Sequence, residues 1–241
     1  MSRQFSRDYY LEVSMGNIPG ATFVSKFGQN DDIGIGAFED IWDLGGVYPY
    51  PTDATAPITR VDSSSASDTT NVEVQGLDVN GDLVVQTIAI NGTTGTNLTT
   101  ALWRVFRLKN VGATPYVGTV RVTNAGDTVT YAQIQTGNEQ TLMALYTIPN
   151  GKTGYLCCGN ASMAGLKRDY SIDGHVYMRN YGGVYQLKNT FGLNADGTGY
   201  FQHHYQIPLP IAGKTDVRVQ GISTSSGGVM NATFDILLID N

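Results

Sequence analysis

The 241-residue sequence predicts an all-β fold: a jelly-roll-like antiparallel β-sandwich preceded by an extended, irregular N-terminal arm. Three observations carry this. Thr, Asn, Asp and Gly number 26, 16, 17 and 29, against 4 Glu and 6 Lys, so strand and turn formers far outnumber helix formers. Short apolar runs recur at the spacing of a strand plus a turn. No helical period persists between them.

The elements follow in order. Residues 1–57 read as the arm. Its part from 15 to 57 is rich in Gly and Pro, with aromatics interspersed, and keeps no strand period. Phe23, Phe27, Phe38, Ile41, Trp42, Leu44, Tyr48 and Tyr50 make it too apolar for a solvated linker. A structureless segment of this length is uncommon inside a domain. It is therefore expected to lie on a surface, its own or a neighbouring subunit's, with Phe38, Ile41, Trp42 and Tyr48 as anchors. Tyr48-Pro-Tyr50-Pro51 is extended, because a residue before Pro is pushed out of the α region.

Residues 58–241 read as the sandwich. Runs 71–79 and 82–90 meet across Asn80-Gly81, the signature of a hairpin with a type I′ turn. Val72 and Val74 keep one phase while Leu77 and Val79 keep the other, which predicts a β-bulge at Gln75-Gly76. Residues 102–109 form the next strand. Strands 117–123 and 128–134 flank the turn cluster Asn124-Ala-Gly-Asp127. Strands 141–148 and 153–158 flank Pro149-Asn-Gly-Lys152, where Pro presets the first turn dihedral. The run Gln140-Thr-Leu-Met-Ala-Leu-Tyr146 has helical propensity, yet turn residues bracket it closely, so it is read as a strand. Strands 171–180 and 184–190 flank Tyr181-Gly-Gly183, and strands 200–207, 215–222 and 232–239 complete the set.

Charge and chemistry narrow the function. The formal net charge of −6 disfavours wrapping nucleic acid by its phosphates. No apolar run approaches the length of a membrane helix, and the first residues lack the apolar core of a signal peptide. Cys157 and Cys158 are adjacent, so in a strand they point apart, and no disulfide framework is expected. His203 and His204 likewise face apart. Asp78-Val-Asn80-Gly81-Asp82 resembles a calcium loop only loosely, with Leu83 and Ala89 where Gly and Glu are required. Gly34-Ile-Gly36 lacks the third Gly of a dinucleotide loop. No nucleophile, base and orienter can be assembled. The sequence therefore predicts no enzyme, no cofactor and no metal. The aromatics Tyr170, Tyr177, Tyr181, Tyr185, Phe191, Tyr200, Phe201 and Tyr205 crowd one third of the chain. Tyr suits an ordinary core, a subunit interface or carbohydrate stacking. Tyr50, Tyr177, Tyr181 and Tyr185 join the arm anchors as interface candidates.

A series of motifs then carries a resemblance. It runs through Phe38-Glu-Asp-Ile-Trp-Asp-Leu-Gly-Gly46, Tyr48-Pro-Tyr-Pro51, Val61-Asp-Ser-Ser-Ser-Ala-Ser-Asp68, Val74-Gln-Gly-Leu-Asp-Val-Asn-Gly81 and Ile90-Asn-Gly-Thr-Thr94. It continues through Gln140-Thr-Leu-Met-Ala-Leu-Tyr-Thr-Ile-Pro-Asn-Gly-Lys-Thr-Gly-Tyr155 and Lys214-Thr-Asp-Val-Arg-Val219, and closes with Phe234-Asp-Ile-Leu-Leu-Ile-Asp-Asn241. Over most of its length the chain resembles a widespread family of virion structural proteins of tailed bacteriophages and prophages. The resemblance implies a non-enzymatic virion component assembled in the bacterial cytoplasm. It implies a capsid decoration (cement) protein, with a tail, neck or fibre-associated protein as the alternative. It also implies partners in the major capsid protein or other virion proteins, and a homo-oligomer, the trimer favoured. A carbohydrate-binding module for host adhesion is a third reading.

Overall fold

The computed structural model describes residues 8–164, 170–225 and 227–241. Helix α1 (Tyr9–Ser14) is followed by sixteen strands among the described residues. These are β1 (Ala21–Ile33), β2 (Glu39–Asp40), β3 (Ile58–Ser63), β4 (Asn71–Leu77), β5 (Leu83–Ala89), β6 (Thr96–Leu102), β7 (Arg104–Asn110) and β8 (Val120–Asn124). They continue as β9 (Thr130–Ile134), β10 (Leu145–Thr147), β11 (Lys152–Ala164), β12 (Ser171–Arg179), β13 (Gln186–Asn194), β14 (Tyr200–Ile211), β15 (Asp216–Ser223) and β16 (Gly228–Asp240). Every pairing between them is antiparallel. The predicted all-β, antiparallel architecture is what the chain adopts.

The strands form four sheets. Sheet A has the order β1-β16-β11-β14, and sheet B the order β10-β15-β12-β13 with β2 added on β15. Sheet C has the order β6-β3-β8-β9 and sheet D the order β5-β4-β7. Sheets A and B close on one core that includes Leu156, Ile172, Val217, Phe234 and Ile236. Sheets C and D close on a second core with Val61, Val72, Val74, Leu108, Val122 and Ile134. The second sandwich is thus inserted between the strands of the first, and the cores do not divide the chain at residue 57. Neighbouring residues in the connecting segments point to opposite sides, as extended backbone requires. Ile41 and Ala144 enter the first core, while Trp42 and Leu145 enter the second.

The expectation of an irregular arm needs correcting here. Residues 1–7 lie outside the described residues, but Ala21–Ile33 is a thirteen-residue strand. It pairs with β16 from Ala21↔Ile239 to Ile33↔Gly228. Its inward positions include Lys26, Gly28 and Asn30, all buried, whereas Phe23 and Phe27 lie on the other face. The polarity pattern of the strand is inverted, so hydrophobic alternation does not reveal it. The Lys26 ammonium donates to the Phe106 carbonyl, and burial holds its pKa well below the usual lysine value. Between Gly34 and Pro57 only the two-residue β2 is regular, and the segment lies on this protein's own sheet B.

The β4–β5 hairpin forms in the expected place, with Leu77 opposite Leu83. Its connection is wider than a two-residue turn. Gly81 alone takes a positive φ, of 85°, while the Asp78 carboxylate accepts from the N–H groups of Asn80 and Asp82. The bulge also falls where the phase slips, between β4 and β7 at Gln75/Gly76. There a Cβ on residue 76 would lie 2.2 Å from the Arg104 carbonyl oxygen, so only Gly fits. The run 141–148 is extended, but only Leu145–Thr147 pairs as a strand. Strand β6, rich in Thr, carries no alternation and was not expected.

Candidate functional site

A network of buried ion pairs lies at the seam between the two sandwiches. Arg104 opens β7 and Asp216 opens β15, and both turn inward among apolar neighbours. The Arg104 guanidinium forks onto Asp216, Nε to Oδ1 at 2.9 Å and Nη2 to Oδ2 at 3.0 Å. Its Nη1 donates to the Pro51 carbonyl at 2.8 Å. Arg179 of β12 reaches the same Asp216 Oδ2 at 2.6 Å and Asp53 Oδ1 at 3.0 Å. The Thr147 hydroxyl donates to Asp216 Oδ1 at 2.6 Å. Asp53 Oδ2 accepts from the Gly182 N–H at 2.9 Å. Two arginines and two aspartates thus tie β7, β10, β12, β15 and the segment leading to β3 into one register.

Aromatic rings sheath the charges. Arg104 lies over Trp103 at 4.0 Å, and Arg218 over Tyr185 at 3.7 Å. Guanidinium groups stack readily on such faces. Burial raises the phenols of Tyr48, Tyr50 and Tyr185 far above their usual range, so they remain neutral. Burial pushes the Asp40 carboxyl up to about 6, against the pull of Arg218 and of the Tyr48 N–H at 2.8 Å. The Arg104 and Arg179 guanidinium groups donate to acceptors of the same chain, whereas the buried Trp103 Nε1 and Arg218 Nε have no hydrogen-bond partner among the described residues. The chemistry of the cluster is that of holding elements together.

The interface candidates distribute unevenly. Ile41, Trp42 and Tyr48 are buried in this protein's own interior, so of the two surfaces expected to receive them, its own or a neighbour's, they lie on its own. The physical reason is that sheet B and the second core already receive them. Phe38 stacks on His175 at 4.1 Å. Tyr50 packs between Tyr48 and Tyr185 at 4.6 and 5.8 Å. Tyr177 is half-buried, with its hydroxyl 3.1 Å from His175 Nδ1. Tyr181, at the turn after β12, is 42% exposed. Sequence reasoning missed Arg104, Arg179, Asp53 and Asp216. The available signal was a charged residue at an inward position of an apolar strand.

Cys157 sits at a bulge of β11, and the two thiols are separate. Cys158 Sγ lies 3.1 Å from Asp235 Oδ2, and burial with that carboxylate pushes the thiol up to about 12. His203 packs against Tyr205 at 4.4 Å, whereas His204 meets Gln202 at 2.6 Å. They face apart, as adjacent strand residues do.

Asp43 gives a pH prediction. Its Oδ2 is buried without a hydrogen-bond partner among the described residues, and burial pushes its carboxyl up to about 7. Its pKa is higher folded than unfolded. The stability tied to it is therefore full below about pH 4 and is lost as pH rises through about 7. Asp43→Asn is expected to be more stable than the parent by on the order of 2 kcal/mol near pH 8.5. The difference should vanish near pH 4. Urea melts of both proteins at the two pH values measure it.

No family model matches the chain, and no curated relative matches it. Among solved structures, it aligns with the VP2 subviral particle of infectious bursal disease virus at 10% identity and a TM-score of 0.26. That alignment covers 98% of this chain and 78% of the other. It also aligns with T=1 particles derived from the same virus, at 11% identity, a TM-score of 0.22, and 96% and 79% coverage. Alignments at these scores carry no argument about role.

Proposed function

We propose that this chain is a non-enzymatic structural protein of a tailed-bacteriophage particle. In this reading it is a capsid decoration (cement) protein, a homo-oligomer with the trimer favoured, bound to the major capsid protein. The observation that carries the reading is where the resemblance motifs fall in the fold. Asp68 of the Val61–Asp68 motif accepts from the N–H groups of Val117 and Gly118 at 2.7 and 2.9 Å. The Lys214–Val219 motif supplies Asp216 to the clamp that Arg104 and Arg179 form with Asp216 and Asp53 at the seam. The Phe38–Gly46 motif supplies Ile41 to one core and Trp42 to the other. The motif series thus keeps the fold, as a rigid particle component requires. Tyr181 is the most exposed of the interface candidates and is assigned to the partner surface.

The test uses particles from the host that carries this gene. Gradient-purified particles should contain the protein in a fixed ratio to the major capsid protein. Capsids made without it should open at a lower temperature and recover when the purified full chain is added. A protein that stays in the unassembled fraction after particle purification overturns the reading. A cryo-EM map of the decorated particle places the density on the capsid, or at the tail or neck.

A further inference from the structure

Three Asn-Gly pairs lie at turns: Asn80-Gly81, Asn91-Gly92 and Asn150-Gly151. All three asparagines are exposed, but the N–H of the following Gly is placed differently in each. Gly81 donates to the Asp78 carbonyl at 3.0 Å, and Gly92 donates to the Asp68 carbonyl at 2.8 Å. Both glycines are buried. A Cβ on either would meet an atom at 2.8 Å, Lys214 Cε beside Gly81 and the Ala66 carbonyl oxygen beside Gly92.

The third turn is closed one residue later, by the Lys152 N–H on the Pro149 carbonyl at 3.3 Å. Closing it uses the N–H of residue 152 and leaves that of Gly151 without an acceptor among the described residues. Gly151 is exposed, and a Cβ on it would meet nothing within 4 Å among them.

We infer that Asn150 is a site of self-modification, where the Gly151 nitrogen attacks the side-chain amide. The nitrogen gives up its proton to solvent base and bonds to Asn150 Cγ. The Cγ–Nδ2 bond breaks, and the amide leaves as ammonia with a proton taken from water. Water then opens the five-membered imide at either carbonyl, giving aspartate or backbone-linked isoaspartate. At Gly81 and Gly92 the N–H must first leave its acceptor, and breaking such a bond slows attack about tenfold.

The position gives the change a consequence. Asn150 ties the β10–β11 turn to the β4–β5 hairpin of the other sandwich: its N–H donates to the Gly81 carbonyl at 2.7 Å, and its Nδ2 to Asp82 Oδ1 at 3.2 Å. A carboxylate at residue 150 has no proton to donate and sets two negative charges face to face. Lys152, two residues on, is already held by Asp240. Time since synthesis is thus recorded as one added negative charge, and a looser bond, at this joint.

Ageing the full chain in mildly alkaline buffer tests the inference. Peptide mapping by mass spectrometry follows the one-dalton gain at each Asn-Gly pair, with isoaspartyl methyltransferase labelling as a second readout. Asn150 should convert about tenfold faster than Asn80 or Asn91. In concentrated guanidinium chloride the three should convert at similar rates. Asn150→Gln, at an exposed turn position, should remove the early labelling. Asn150→Asp, made directly, should speed amide hydrogen exchange across residues 78–83 several-fold. No conversion of Asn150, conversion of Asn80 or Asn91 first, or the same ranking in denaturant as in buffer overturns the assignment. Equal exchange in the parent and Asn150→Asp proteins overturns the consequence for the joint.

Discussion

Deleting residues 1–57 should abolish the folded state. The deletion removes β1, the partner of β16 along its length, and the buried Ile33, Ile41, Trp42 and Tyr48. It also removes Asp53 from the clamp. Burying each large apolar side chain contributes about 1.5–3 kcal/mol. Four of them together contribute on the order of 8 kcal/mol, comparable to the whole stability of a typical domain. The truncated chain is expected to lose its near-ultraviolet dichroism and to aggregate or elute as an expanded species. A sharp thermal transition in the truncated protein would show that the segment is a dispensable attachment.

Asp216→Ala should be the most damaging single substitution at the seam, costing about 3–5 kcal/mol. It leaves Arg104, which is almost fully buried, without its forked partner, and Arg179 with Asp53 alone. Asp53→Ala should cost less, because that carboxylate is partly solvated. Arg104→Lys should not restore the parent stability, since an ammonium cannot reproduce two parallel N–H···O bonds. Denaturant titrations rank the three. If Asp216→Ala falls within about 0.5 kcal/mol of the parent, as a surface change does, the clamp contributes nothing to stability.

What the sequence reveals depends on how local the cause is. The β4–β5 hairpin was legible from Asn80-Gly81, and the bulge from a phase slip around a Gly, because turns and bulges are decided by adjacent residues. Even there, the wider connection depends on the Asp78 carboxylate capping two N–H groups, which the Asn-Gly pair alone does not announce. Strand β1 was not legible. Its inward Lys26 finds its partner in Phe106, 80 residues away, and Asn30 finds its partners in the Glu39–Asp40 segment, across an irregular connection whose path no local pattern announces. The clamp was hidden for the same reason, since Arg104 and Asp216 lie 112 residues apart. The arm's apolar character was read correctly, but composition does not say whose surface receives it.

The pairing of β1 with β16 also imposes an order of events on the growing chain. Strand β1 is made before β2 to β15, yet the backbone groups along its paired edge find their partners only in β16. All of β3 to β9 emerges in between, and sheets C and D draw their strands from that stretch alone. The inner sandwich can therefore form while the outer one is still open at both ends. Until β16 is made, the β1 ladder to it stays unfilled. Its polar inward residues, Lys26 and Asn30, which obscure it as a strand, are also what suit it to that wait.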